Sequence, residues 1–281
     1  MQNEWQVESP QTLEFDEVQS IRASIIGGRV DVLVHEEPIT RLEVSELEGR
    51  PMNIRLNDGQ LEITHASGIS HGWAGFAGQL IGAKPRESAV ITVSVPEETS
   101  ASLRTVNGDA LACGTHDTSL ETVSGSILAD DTSGTLKVNT VSGEAIVRHH
   151  FGRLVVKTVS GEITASGFCD DIRTNSVSGE ITLDLLGEPR ELEARTVSGD
   201  LTVRLPAMVG IDVSASSVSG SLTVNDRKFT GHGKNEYFER GSTASTLTVR
   251  ASSVSGDVAL FHRHPETSAE PASAGAKDGG H

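Results

Sequence analysis

The sequence predicts an all-β fold, a β-solenoid of about eight coils with about 18 residues in each coil. Three observations lead to this prediction. A four-residue motif occurs eight times, apolar residues recur at fixed distances from its glycine, and aromatic residues make up only 4% of the chain. A core without large rings suits thin, repetitive β-structure better than a bulky enzyme fold.

The repeated motif is Thr or Ser, then Val, then Ser or Asn, then Gly. Its copies begin at Thr105, Thr122, Thr140, Thr158, Ser176, Thr196, Ser217 and Ser253. The spacings between successive glycines are 17, 18, 18, 18, 20, 21 and 36 residues. The regular spacing indicates a stacked repeat, and the last gap indicates an insertion.

Apolar residues form columns when the copies are aligned on the motif glycine. They lie two and four residues after it, and five and seven residues before it. Because alternate residues of a strand share one face, each copy predicts two short strands that face a common interior. We expect the motif valine, two residues before the glycine, to face that interior as well. We also expect a bend in the chain between positions −5 and −2, at which the Thr or Ser at −3 is placed to support the turn.

The repeats divide the chain into three parts. Residues 1–100 alternate or run apolar and predict an N-terminal β-region and cap that is continuous with the solenoid. Residues 101–262 form the repeat solenoid, with an insertion at 225–245. Residues 263–281 are rich in Ala, Ser, Gly, Pro and Glu and predict a disordered tail.

The formal charge of −16 bears on the partners. A surface this acidic repels phosphate backbones, which excludes nucleic acid, and it disfavours anionic lipid surfaces. Cationic partners and divalent ions stay open, beside the simpler role of keeping an edge-rich β-protein soluble. The sequence fixes neither the partner nor the oligomeric state.

Two absences bear on location. The first residues carry no basic stretch followed by an apolar run, and no run of about 18 apolar residues occurs, so we expect no signal peptide and no transmembrane helix. The default expectation is a cytoplasmic protein. Peripheral membrane contact and a non-canonical export route stay open.

One segment has a different composition from its surroundings. Trp73, Phe76, Leu80 and Ile81 have the spacing of one face of a helix, although glycines interrupt it. We expect a cap over an exposed edge of the solenoid. A membrane-interface segment and a partner-docking patch are the functional alternatives.

The residues directly after the glycines form an acidic ladder. Stacking would bring Glu144, Glu162 and Glu180 to neighbouring coils, about 5 Å apart. Such carboxylates could bind a cation or act as acid and base on a glycan, but a solvated ladder is the favoured interpretation. The sequence contains no nucleophile elbow, P-loop or dinucleotide fingerprint, and it predicts no catalytic residue, cofactor or metal.

Cysteines and histidines give weaker indications. Cys113 and Cys169 would lie three coils apart, roughly 14 Å, so both are expected as free thiols. The pairs His149-His150 and His262/His264 have no zinc-ligand spacing. We expect them in solvent, with His149 and His150 pointing to opposite sides of a strand.

The repeats at residues 158–164 and 196–203, and the run at 93–97 that precedes them, resemble a bacterial putative adhesin family, the domain of unknown function DUF4097. The resemblance extends over residues 21–261. It implies a β-strand repeat fold and a role in cell-envelope stress responses or surface adhesion. The family has no assigned catalytic residues, so none is carried over.

The sequence therefore predicts a non-enzymatic β-solenoid scaffold that binds a protein or an envelope component. The alternative is a surface adhesin that binds glycan or lipid. A carbohydrate-active β-helix enzyme that uses the stacked carboxylates is the third and least favoured hypothesis.

Overall fold

The computed structural model describes residues 3–65, 87–230 and 233–263, and within them the regular structure is entirely β-strand. Seven strands precede the repeats: β1 (Asn3–Val7), β2 (Gln11–Phe15), β3 (Ser20–Val34), β4 (Thr40–Glu48), β5 (Met52–Asn57), β6 (Gln60–Thr64) and β7 (Ser88–Val95). The remaining strands are β8 (Ser100–Cys113), β9 (His116–Thr122), β10 (Ile127–Asp130), β11 (Ser133–Thr140), β12 (Ala145–Thr158), β13 (Ile163–Ser176), β14 (Ile181–Leu185), β15 (Glu191–Thr196), β16 (Leu201–Leu205), β17 (Gly210–Ser217), β18 (Ser221–Val224), β19 (Arg227–Thr230), β20 (Gly233–Glu239), β21 (Thr246–Ser253) and β22 (Val258–His262).

The strands pair in two long ladders that enclose the core between them. The first ladder runs β1, β5, β6, β3, β8, β9, β11, β12, β13, β15, β21, β17, β20. The second runs β2, β4, β7, β3, β8, β10, β12, β13, β14, β16, β22, β18, β19. Pairing is parallel through the repeats, as stacking of successive coils requires.

Four long strands, β3, β8, β12 and β13, bend from one ladder into the other. The pairs β8–β9, β9–β11, β11–β12, β12–β10 and β10–β8 therefore close into a ring. This part of the stack forms a small closed barrel of hydrogen-bonded strands around the core.

The core consists of the columns that the sequence predicts. In all eight copies the residues two and four after the glycine, and five and seven before it, are buried. Within one copy these are Ile163, Ala165, Val156 and Leu154, each at most 1% exposed. Stacking lets each coil bury its apolar face against its neighbours.

The motif valine is buried in the first copy, at Val106, but is half-buried or exposed in the other seven, so its predicted orientation is wrong for those copies. Val159 is 39% exposed, whereas Thr158 before it and Gly161 after it are buried. The buried alternation therefore ends at the Thr or Ser at −3 and resumes at the glycine. The bend is the motif itself, and it turns its valine and serine outward.

Backbone approach explains the glycine column. A Cβ on Gly161 would lie 2.2 Å from the carbonyl oxygen of Gly143, and one on Gly179 would lie 2.2 Å from that of Gly161. No side chain fits such a gap. Glycine is therefore needed where one corner lies on the next.

The last copy in the sequence is not the last layer of the stack. Strands β21 and β22 lie between β15/β16 and β17/β18. Ser255 N–H donates to Val197 O at 2.8 Å, and Ser219 N–H donates to Val254 O at 2.9 Å. The spatial order of the final copies is thus the sixth, the eighth and then the seventh.

Antiparallel strands close both ends of the stack. At the far end, β20 and β19, which belong to the predicted insertion, pair with β17 and β18. At the near end, β1, β5, β2 and β4 pair antiparallel outside β6 and β7. There too the chain order is broken, because β3 lies between β6/β7 and β8.

Candidate binding surface

Each motif corner is held by the hydroxyl at its first position. The Gly161 N–H donates to Thr158 Oγ1 at 2.8 Å, and that hydroxyl donates to Gly161 O at 3.1 Å. Thr140 makes the same two hydrogen bonds with the backbone of Gly143, and the Ser176 hydroxyl donates to Gly179 O. The hydroxyl satisfies backbone groups that the turn removes from the ladders, so it must point inward.

The outward valines form what we call the valine ladder. Toward the near end of the stack Val106 is buried and Val123 and Val141 are half-buried. From the fourth copy on the exposed fraction is substantial in every layer. In spatial order the ladder comprises Val159 (39%), Val177 (46%), Val197 (47%), Val254 (48%) and Val218 (56%).

A groove of about 590 Å³ runs beside the start of the ladder. Its walls are Val159 and Val177 on one side and the side chains at −4, two residues before each valine, on the other. Four of the eight side chains at −4 are charged, namely Arg104, Glu121, Lys157 and Arg195. Arg104 pairs with Glu121 at 3.2 Å, and the exposed Arg195 pairs with Glu193 of its own strand, whereas the exposed Lys157 has no ion-pair partner within the described residues.

The acidic ladder lies on the other side of the valines. Glu144, Glu162 and Glu180 are exposed and occupy successive layers, as the hydrogen bonds from Ala145 N to Glu162 O and from Ile163 N to Glu180 O show. The structure thus brings these three carboxylates into one column. Within the described residues they do not converge on a common point as metal ligands would, and none has an ion-pair partner there.

The described residues gather metal-ligand types at a different place. His149 Nδ1 lies 2.9 Å from Asp130 Oδ1 and 3.6 Å from Asp131 Oδ1 in the neighbouring layer. Ligand atoms of all three lie within 4.8 Å of one another, at an exposed corner. One nitrogen and two carboxylates could hold a divalent ion. No motif in the sequence predicts this cluster, because its members become neighbours only through stacking.

His149 and His150 point to opposite sides, as predicted, but the prediction that both lie in solvent is wrong for His150. Its side chain is fully buried. Nε2 lies 3.1 Å from Arg153 O, and Nδ1 lies 3.0 Å from Thr132 Oγ1 and from Thr132 O. Desolvation by burial lowers the pKa of His150 despite the carbonyl partners and Asp170. We assign a neutral ring whose Nε2 donates to Arg153 O and whose Nδ1 accepts from the Thr132 hydroxyl.

Both cysteines are free thiols, as predicted. Burial raises the pKa of Cys169 to about 12, and the charge of Asp170 adds to the shift. Burial, with Asp130 and Asp131, also raises the pKa of Cys113. Neither thiol is poised as a nucleophile.

The corner opposite the motif carries two exposed aromatic rings. Phe151 and Phe168 are 67% and 51% exposed, and their ring centroids are 6.4 Å apart. The predicted patch of Trp73, Phe76, Leu80 and Ile81 lies outside the described residues. Nowhere in 3–65, 87–230 or 233–263 is there a helix with the length and apolarity needed to traverse a bilayer.

Three solved structures are similar to this chain, one of them with a TM-score above 0.5. A "putative lipid binding protein" from Parabacteroides distasonis is 16% identical, with 91% of this chain and 97% of that chain covered and a TM-score of 0.52. A "putative cell adhesion protein" from Clostridium sporogenes is 12% identical (90% and 100% covered, TM-score 0.33), and a "putative adhesin" from Bacteroides fragilis is 11% identical (94% and 96% covered, TM-score 0.35). At 16% identity the likeness to the Parabacteroides distasonis protein concerns the fold alone.

No curated protein matches the chain by sequence. A family model does match, the one described as Toastrack DUF4097, and it covers residues 28–261. That match includes every copy of the motif and most of the N-terminal strands. The chain therefore belongs to the Toastrack DUF4097 family.

Proposed function

We propose that this chain is a non-catalytic binding protein of the adhesin type, which docks a protein partner on the valine ladder and its flanking groove. One observation carries the proposal. Five consecutive layers each expose a valine at the same corner, between 39% and 56% of its surface. A contiguous exposed apolar strip with charged borders is typical of a protein-interaction site.

The corner itself does not require valine. A β-branched residue suits the extended backbone there, but threonine would suit it equally and would be hydrated. Each exposed valine also raises the risk of aggregation, which edge-rich β-proteins ordinarily limit with charge. Valine in the five exposed layers is therefore better explained by contact with a partner than by the needs of the turn.

The repetition also argues against catalysis. An active site needs distinct groups in one place, whereas each layer of this corner presents nearly the same groups as the next. The carboxylates of the acidic ladder are exposed to solvent, and they do not line the groove beside the valines. A binding surface, by contrast, gains from repetition because equivalent weak contacts add.

The proposal is tested by affinity capture from a lysate of the source organism. Wild-type protein is compared with Val177→Asp/Val197→Asp and with the control Thr12→Asp/Thr164→Asp, which adds the same charge at exposed strand positions away from the corner. We expect a partner that binds saturably to wild type and control, and at least about tenfold more weakly to the valine variant. Equal binding by all three would overturn the proposal.

A second candidate rests on the aromatic pair. The exposed rings of Phe151 and Phe168 could stack against sugar rings or insert into a lipid surface. A polysaccharide array and flotation with neutral vesicles test it. Binding that Phe151→Ala/Phe168→Ala abolishes and Val177→Asp/Val197→Asp leaves intact would favour this glycan- or lipid-binding role. Turnover of a polysaccharide abolished by Glu162→Gln would instead show an enzyme.

A further inference from the structure

We propose that the partner on the valine ladder is a second copy of this chain, aligned in parallel about a two-fold axis that runs along the stack. The inference rests on the proposed function, because it names the occupant of the same surface. Two features of the corner carry it: the repeat distance of its side chains and the order of its charges.

The repeat distance selects the partner. Side chains of the valine ladder recur at the separation of stacked strands, about 4.8 Å. Along a helix, residues on one face recur about every 5.4 Å, and along an extended strand about every 6.8 Å, so either falls out of step within a few layers. A second solenoid has the same repeat and stays in register over the full length. Another copy of this ladder is therefore the best-matched surface.

The charges select the orientation. Across the corner of the fourth copy the order is Lys157 at −4, Val159 at −2, Ser160 at −1 and Glu162 at +1. The sixth copy repeats it with Arg195 and Asp200. Seven of the eight layers thus have a basic or neutral residue at −4, and six have a carboxylate at +1, whereas the second layer has Glu121 at −4 and Ser126 at +1.

A two-fold axis parallel to the stack exchanges left and right but keeps the height of every layer. Lys157 then faces Glu162 of the second copy, and Arg195 faces its Asp200. The two valine columns lie side by side between these pairs. An axis perpendicular to the stack would instead place basic border against basic border and acidic against acidic, which is repulsive.

The surface sets the expected strength. The five layers of the valine ladder span roughly 19 Å, and the strip between the borders is roughly 15 Å wide, which gives about 600 Å² buried in total. That area is smaller than in stable specific interfaces. Each chain also carries −16, and this repulsion is screened at about 0.15 M salt. We therefore expect a weak dimer whose formation depends on concentration.

Sedimentation velocity at about 0.15 M salt, with chain concentrations up to about 100 µM, measures the equilibrium. Wild type should pass from monomer to dimer as concentration rises. Lys157→Glu and Glu162→Lys should each weaken the dimer at least about tenfold. The double variant Lys157→Glu/Glu162→Lys should recover most of the affinity, because each new glutamate then faces a new lysine. Both substitutions lie at exposed positions, so we expect the three variants to melt as wild type does, which thermal unfolding checks.

Two results would overturn the inference. A double variant no better than the single variants would exclude the parallel arrangement. A wild type that stays monomeric throughout would exclude the dimer, and the capture experiment then separates the two proposals. If wild type captures a protein that Val177→Asp/Val197→Asp does not, the valine ladder binds a different partner and only the dimer proposal is rejected. If nothing captured depends on the valines, both fail.

Discussion

At the residue scale, the inward hydroxyl of the motif decides which side chains a partner can reach. The Thr158 side chain is a small buried polar group that bonds both backbone groups of Gly161. Turning it inward forces Val159 outward. The exposed surface of the protein thus follows from a hydrogen-bond requirement inside it.

Replacing Thr158 with valine tests this role. The change keeps the shape and removes the hydroxyl, so the buried Gly161 N–H loses its acceptor. We expect the free energy of unfolding to fall by about 1–3 kcal/mol in urea titrations. Thr164→Val, at an exposed strand position of the same coil, is the matched control and should change stability by less than about 0.5 kcal/mol. Equal effects would contradict the assigned role.

His150 predicts a pH dependence of stability. Its pKa is lowered in the folded protein from an ordinary value of 6.5, so the unfolded chain binds the proton more readily. The contribution of His150 is therefore complete above pH 6.5 and is lost as the pH falls through that value toward the lowered folded pKa.

The measurement is the free energy of unfolding of wild type and His150→Thr between about pH 7.5 and pH 5. Threonine occupies the equivalent buried positions Thr115 and Thr132, so it suits the column. The difference between the two proteins should shrink as the pH falls. A constant difference would show that His150 does not titrate differently in the two states.

At the element scale, much could be predicted from the sequence, because the period of the repeat fixes which strand residues face inward. All four strand columns are buried as expected. The corner could not be predicted by the same reasoning. Hydrophobicity alone places Val159 inside and Thr158 outside, and it carries no information about the backbone groups that a turn leaves without partners.

A matched pair of aspartate substitutions tests the register of strand and corner. Ile163→Asp places a charge in the core, where the side chain is fully buried, and should cost at least about 3 kcal/mol of unfolding free energy. Val159→Asp, four residues away in the same coil, adds the same charge at an exposed position and should cost less than about 1 kcal/mol. Comparable losses in thermal or urea unfolding would refute the outward orientation of the valine ladder.

At the scale of the whole molecule, the stack order departs from the chain order at both ends. The glycine spacing of 36 residues signals an insertion, yet it does not tell where the following copy lies. The eight corners are too similar for the sequence to distinguish their neighbours. The same limit applies to the cluster of His149 with Asp130 and Asp131, and to every other contact that depends on which layers are adjacent.

Disulfide trapping tests the layer order. Ser252 pairs with Arg195 on one side and with Ser216 on the other. In a Cys113→Ala/Cys169→Ala background, the pair Arg195→Cys/Ser252→Cys should cross-link on oxidation, because adjacent strands lie about 4.8 Å apart. Arg195→Cys/Ser216→Cys spans two layers, about 10 Å, and should stay reduced. Cross-linking of the second pair alone would show that the sixth and seventh copies are adjacent and that the layers follow the order of the chain.

The interleaved eighth copy also constrains synthesis. When residues 210–224 leave the ribosome, the strands destined to lie on one side of them, at 246–262, do not yet exist, and at 5–20 residues per second they follow roughly 2–7 s later. In that interval the nascent seventh copy can pair directly with the sixth copy. This premature pairing must break before the eighth copy can insert between them. Strands β19 and β20 are translated in the meantime and can occupy its opposite edge. The excursion at 225–245 therefore leaves only one edge of the seventh copy open to such mispairing while the chain is completed.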